Sequence, residues 1–184
     1  VVIYLPILVM IIFSFNSGKY QTLPFRVPTF EWYVSLIADN SFINSFFTSL
    51  MMASLASIFA TTLGFLAAYA FSKAKVPAHA LLFGVVVCPL VIPMILIGIG
   101  MRLQIVSIGI EPALWLVLLG QTLYVLPLGV INLKNRIDKI PKSMEEASIS
   151  LGSTRIKYLV LILAHICAPS IFAPILLTFT FSFD

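Results

Sequence analysis

The amino-acid sequence predicts an all-α integral membrane protein with about five transmembrane helices, and three observations lead there. The 184 residues are 60% apolar and 10% charged, with a mean hydropathy of +1.09; soluble domains carry about 25% charged residues. The surplus apolar surface has to face lipid. The apolar residues gather into runs, about 1–15, 42–72, 78–101, 113–133 and 158–183, on the scale of the roughly 20 residues that cross a bilayer. Between the last two runs lies one long polar, charge-dense stretch, Asn135–His165. The net charge of +4 raises nucleic acid as a partner. However, the Lys and Arg residues sit in loops between apolar runs, where the positive-inside rule accounts for them. The expected surroundings are membrane lipid, with no nucleic acid, and residues 1–184 read as a single membrane domain.

Val1–Phe15 is shorter than a full span and opens on Val, so it reads as the end of a first helix whose start is missing. No small-residue cleavage site follows it, which argues against a signal peptide. Asn16–Ser41 forms a loop with Pro24 and Pro28 and the cluster Phe30, Trp32, Tyr33, Leu36 and Ile37 on one helical face. Trp and Tyr favour the headgroup level, so this is a short helix lying on the membrane surface or a loop helix packed on its neighbours. Phe42–Ser72 exceeds one bilayer thickness and is rich in small residues, among them Ala53, Ala56, Ser57, Ala60, Thr61, Gly64 and Ala68. Small residues let helix backbones approach closely in lipid, so this helix is expected to face protein over much of its length.

The third run, Ala78–Met101, contains Pro89 and Pro93, then Gly98 and Gly100. Proline inside a membrane helix leaves carbonyls for neighbours or water to satisfy, so the run reads as a broken or kinked helix lining a pathway, or as a passive kink. A fourth span runs from Pro112 to Leu133 with Pro127 inside it, and a fifth, Tyr158–Phe183, carries Pro169 and Pro174 before the final Asp184. An ionisable residue on an apolar span costs about 2.5–3.5 kcal/mol on insertion scales, which makes Asp184 a candidate pathway residue; the alternative is that it marks the outer end of the helix. Cys88 and Cys167 lie within apolar runs and are expected to be small buried hydrophobes.

Orientation follows from the basic residues. Lys73, Lys75, Lys134, Arg136, Lys139, Lys142, Arg155 and Lys157 fall on the side of the polar stretch, against Lys19, Arg26 and Arg102 on the other. This bias places the loop 134–157 in the cytoplasm. Within it, Ser143-Met144-Glu145-Glu146 has the form of a capping box, Pro141 stands where a missing N–H does no harm, and Gly152 can take a left-handed turn. Ser153 or Thr154 can then cap the next helix. A short exposed helix, a sharp turn and a new helix are predicted.

Catalytic patterns do not emerge. The sequence holds no G-x-x-x-x-G-K-[ST] phosphate loop, no H-E-x-x-H and no Cys pair at zinc spacing, so neither a nucleotide site nor a metal is expected. His79 and His165 read as interfacial polar residues.

The loop resembles a known signature. Permease subunits of binding-protein-dependent ABC importers carry Glu-Ala-Ala, three residues, Gly, nine residues, Ile, one residue, then Leu-Pro. Here Glu146-Ala147-Ser148 is followed by Gly152 and Ile162 at that spacing, with Ser148 in place of the second Ala and Ala164-His165 in place of Leu-Pro. The likeness extends to most of the chain. Leu5-Pro6, Phe13–Asn16, Trp32-Tyr33, Asn44-Ser45, Pro89, Pro93, Leu126-Pro127 and Phe179–Asp184 are similar to segments of spermidine/putrescine permeases. Several of those place a carboxylate directly after the second proline of the third span, where this chain has Met94.

The resemblance implies five helices of the six-helix type I importer permease fold, with the start and the sixth helix missing. It implies a multi-pass subunit of the bacterial cytoplasmic (inner) membrane that pairs with a second permease. A cytoplasmic ABC ATPase dimer would carry the ATP and an extracytoplasmic binding protein would deliver substrate, this chain binding no cofactor itself. Ser143, Glu145, Glu146, Ala147, Ser148, Leu151 and Gly152 would form the ATPase-coupling element, and Asp184, Pro89 and Pro93 the substrate pathway. The expected cargo is a polyamine such as spermidine or putrescine. The alternatives are another solute (an anion, iron or an amino acid), a stand-alone secondary carrier, and a truncated remnant that does not transport.

Overall fold

The computed structural model describes residues 2–18, 24–25, 27–73 and 77–183. They form helices, with one isolated antiparallel bridge, Asn16 to Pro28, as the sole strand-like pairing among them. The all-α class is as the sequence predicts. The helices are α1 (Leu5–Ser14), α2 (Glu31–Ala38), α3 (Asn40–Lys73), α4 (His79–Val87), α5 (Met94–Ser107), α6 (Leu114–Ile137) and α7 (Lys142–Ser150), then α8 (Arg155–Phe183). Residues 1–48 and 49–184 make two compact units.

In the first unit, α1 has ten residues and ends where Phe15 donates its N–H to Ile12. The bridge returns the chain to this point: Thr29 donates to the Phe15 carbonyl at 2.8 Å and Ser17 to that of Val27 at 3.3 Å. α2 then docks on the end of α1. The Trp32 indole N–H donates to the Asn16 carbonyl at 3.0 Å, the Tyr33 and Ser14 hydroxyls share a hydrogen bond of 2.6 Å, and Phe15 sits against Phe30 and Tyr33. Phe30, Val34 and Ile37, one helical stripe, stay exposed. α2 therefore has both a packed face and a free apolar face. The Asp39 carboxylate accepts the N–H groups of Ser41 and Phe42 and so caps the start of α3.

In the second unit, α3, α6 and α8 are long and apolar enough to cross a membrane. The buried residues of α3 are Met52, Ala53, Ala56, Ser57, Ala60, Thr61, Gly64 and Ala68, a single stripe at spacings of three and four that faces protein, as its composition predicts. It lies backbone to backbone on α6: a Cβ on Gly64 would stand 3.0 Å from the Gly129 carbonyl carbon, and one on Gly129 would stand 3.0 Å from the Ala60 oxygen. Two hydroxyls of α3 bond their own helix, Ser54 to the Leu50 carbonyl and Ser57 to that of Ser54, which spares their exposure to hydrocarbon.

The third predicted span is two helices. His79–Leu90, whose last turn Cys88–Leu90 is a 3₁₀ turn, and Met94–Ser107 meet at 99°. The prolines make the break: Pro89 lies in the 3₁₀ turn, and Pro93, extended at φ −53°, ψ 130°, precedes α5 and disfavours helical backbone at Ile92. Cys88 is exposed beside this break, contrary to its expected burial, because the bend removes the neighbours a straight helix would have given it; Cys167 is buried. α5 ends at Gly109, with φ +78°, where Ile110 donates to the Ile105 carbonyl at 3.2 Å.

α8 is continuous from Arg155 to Phe183. Its first turns pass into a π-helical segment, Tyr158–Leu163, before Ala164-His165, where the importer signature has Leu-Pro. Without that proline the chain stays helical from the loop into the span. The main core lies at this end of the unit: Ala68 of α3, Leu133 and Ile137 of α6, Ile140 of the loop, and Tyr158, Leu163 and Cys167 of α8.

Candidate functional site

The stretch between α6 and α8 is held in place by that core. α6 ends with Lys134 paired to Asp138 at 2.7 Å. Burial alone would push the Asp138 carboxyl up. The hydrogen bond from Lys134, the Ser72 hydroxyl beside it and the charges of Lys134 and Lys73 outweigh burial and hold it below its ordinary 3.8. A carboxyl made more acidic by folding stabilises the fold above its unfolded value and loses that contribution as pH falls through the lowered one. At neutral pH, Asp138→Asn should therefore cost about 0.3–0.5 kcal/mol, the scale of an exposed i,i+4 pair. The difference from the parent should vanish in acid, as read by thermal unfolding in detergent.

Ile140 is buried in the core, and Pro141, extended at φ −66°, ψ 144°, precedes α7. The expected capping box does not form. α7 starts at Lys142, one residue before Ser143 would have capped it, and no side chain caps it. Pro141, with φ fixed near the helical value and no N–H to satisfy, stands just before the helix, and Ser143 lies inside the first turn.

The far end of α7 is a complete Schellman turn. Gly152 stands at φ +87°, its N–H donates to the Ile149 carbonyl at 2.9 Å, and Ser153 donates to that of Ser148 at 3.1 Å. Of the two predicted caps for the next helix, Thr154 serves: its hydroxyl accepts the Lys157 N–H at 3.2 Å.

The predicted coupling residues divide between two faces. Ser143, Glu146, Ala147 and Gly152 are exposed, and Leu151 is 90% exposed, with Met144, Ile149 and Ile156 exposed around it. Ser148 is buried, and Glu145 turns inward, its Oε1 accepting a 2.9 Å hydrogen bond from the Tyr69 hydroxyl of α3. Lys73, one turn beyond Tyr69, donates to the Ile140 carbonyl. α7 thus offers an outer face outside the spans that mixes Ser143 and Glu146 with Met144 and Ile149, and it is fastened along its inner face. No local pattern announced Tyr69.

A second feature is a cavity of about 620 Å³ between α5 and the start of α6, lined by Met94, Gly98, Met101, Arg102, Leu116 and Gln121 among others. Gln121 donates to the Ser182 carbonyl at 3.1 Å, and its Oε1 is buried without a partner among the described residues. An amide in the middle of an apolar span was the signal that could have singled it out. Pro89 and Pro93 shape the bend, and Met94, directly after Pro93, is the residue that reaches the cavity wall. Asp184 lies outside the described residues. No three of His, Cys, Asp and Glu gather at metal-binding distance among the described residues.

Comparison with known proteins finds relatives along the chain. Spermidine/putrescine transport system permease protein PotC of Escherichia coli (strain K12) is 28% identical over 182 residues, which cover 99% of this chain and 69% of PotC. Putrescine transport system permease protein PotI of the same strain is 27% identical over 191 residues, covering 99% of this chain and 67% of PotI. Along almost its whole length the chain is similar to these two transport permeases. Osmoprotective compounds uptake permease protein GgtD of Synechocystis sp. is also similar, 30% identical over 139 residues, covering 76% of this chain and 47% of GgtD. No protein-family model matches the chain. With its long apolar helices, the chain is a multi-pass membrane protein.

Proposed function

We propose that this permease forms the translocation path for a polyamine in an ATP-driven importer of the inner membrane, and that α7 is the element through which a cytoplasmic ATPase drives it. The likeness to PotC and PotI along 99% of the chain is the observation that carries the substrate. The geometry of α7 supports the coupling role: a nine-residue helix outside the spans, with Met144 and Ile149 exposed on its outer face and Leu151 beyond it, stopped by a fixed turn that leads directly into α8. A second permease completes the path, a binding protein delivers the solute, and the ATPase supplies the nucleotide site. Reconstituted with those partners, the permease should take up labelled putrescine or spermidine on addition of ATP; ATP-dependent uptake of neither would refute the polyamine reading.

Leu151 gives the sharpest test of docking. At 90% exposure its side chain contributes little to the fold, so Leu151→Asp should leave membrane insertion and thermal stability unchanged. The same change should remove co-purification with the ATPase. An ATPase that stays bound would count against α7 as its docking element.

A second reading, import of an uncharged osmolyte, has one observation in its favour. Among the described residues the cavity beside α5 is lined by Arg102 and Met94 and by no Asp or Glu, and GgtD is a relative. Competition of putrescine uptake by a neutral osmolyte separates the two.

A further inference from the structure

We propose that Tyr69 is a positioning residue of the coupling joint, which makes α3 a second arm through which motion of α7 reaches the spans. The proposal rests on the reading of α7 as the ATPase-docking element. By chain connection, α7 leads through Gly152 into α8. The structure adds a cross-link to α3 at two points on either side of Pro141. Tyr69 donates to the Glu145 carboxylate at 2.9 Å, and Lys73 donates to the carbonyl of Ile140.

Residues 69 and 73 are one turn apart and therefore share a face of α3. Ala68 beside them is fully buried against Ile140, Ile137 and Tyr158, so the grip has a packed floor. A hydrogen bond to an ionised carboxylate is shorter and stronger than one between neutral groups, and Glu145 on the inner face of α7 is placed to make one. What α3 would pass on is clear from its packing. Gly64, five positions before Tyr69, is where the backbone of α3 lies against that of α6. A pull at Tyr69 is therefore applied within two turns of a close backbone approach of α3 to α6, and it acts on that pair at the same time as Gly152 acts on α8.

The test uses the assembled transporter in vesicles, with uptake and ATP hydrolysis measured on the same sample and ATPase co-purification measured alongside. Tyr69→Phe keeps the ring and removes the donor. It should leave the ATPase bound and hydrolysing, while solute moved per ATP falls about tenfold, the scale of one hydrogen bond to a charged group. Glu145→Ala should do the same, the double variant should be no worse than either alone, and Glu145→Gln, whose amide oxygen still accepts from Tyr69 but carries no charge, should restore the ratio in part. An unchanged ratio in Tyr69→Phe, or additive losses in the double variant, would overturn the proposal. So would release of the ATPase by Tyr69→Phe, which would make Tyr69 part of the docking surface. Failure of the underlying reading shows separately, as an ATPase that remains bound to Leu151→Asp.

Discussion

Gly152→Val is expected to abolish ATP-driven uptake and to strip the ATPase from the complex, while Gly152→Asn retains most of both. The glycine stands at φ +87° with no atom within 4 Å of where a Cβ would be, so neighbours do not exclude a side chain there. The backbone does. A left-handed residue with a Cβ costs roughly 1–2 kcal/mol, while Asn visits that region with less penalty because its short side chain bonds locally. A β-branched valine fits it worst. To escape the strain the chain would abandon the positive φ, and with it the bonds from Gly152 to Ile149 and from Ser153 to Ser148 that end α7. The helix would run on, and Thr154 would no longer be positioned to cap α8. Two outer-face residues, Leu151 and Ile156, flank this turn, so the docking face breaks at its centre. Uptake into vesicles and ATPase pull-down measure the outcome. Equal loss in the Asn and Val variants would mean that an ATPase contact at this spot, not the turn, is what matters.

The contrast between this turn and the start of the same helix shows what was legible in the sequence. Gly152 and Thr154 act within a few residues of themselves, and a local pattern was enough to place them. The Ser143–Glu146 box was also a local pattern, but it competed with Pro141. Pro141 suits the position just before a helix, so the helix starts at Lys142 and takes Ser143 into its first turn.

The broken third span was half legible. Pro89 and Pro93 announced a break, but whether two prolines bend a helix slightly or turn it by 99° depends on what packs beside it. Tyr69 and Glu145 lie 76 residues apart with nothing in either neighbourhood to pair them. Treating Glu145 as part of an outward-facing motif overlooked that a short helix on a packed floor must have an inner face. The small-residue stripe of α3 was legible for the opposite reason: it repeats over many turns, and among lipid-embedded helices small side chains serve close packing.

That stripe carries the other large expected effect. Gly64→Leu should prevent the folded permease from accumulating in the membrane, and Gly64→Ala should weaken it by about 1–3 kcal/mol, the usual cost of overpacking a tight contact. The first atom a Cβ meets at Gly64 is the carbonyl carbon of Gly129 at 3.0 Å, followed by the Val130 nitrogen at 3.1 Å. Both are backbone, with no side chain to swing aside, so α3 and α6 must move apart as rigid helices. Separation undoes the neighbouring contact as well, because the Ala60 oxygen lies 3.0 Å from a Cβ built on Gly129. Lipid tails solvate apolar helices as well as protein does, so close packing is what holds such a pair together, and losing it removes most of the reason for α3 to stay. Gly98 is the internal control. It too is a glycine in an apolar helix, but nothing lies within 4 Å of its Cβ position, so Gly98→Ala should be neutral or gain a few tenths of a kcal/mol from helix propensity. Membrane-fraction yield and thermal unfolding in detergent compare the variants. If Gly64→Ala and Gly98→Ala behaved alike, the close approach of α3 to α6 would not be what the small residues provide.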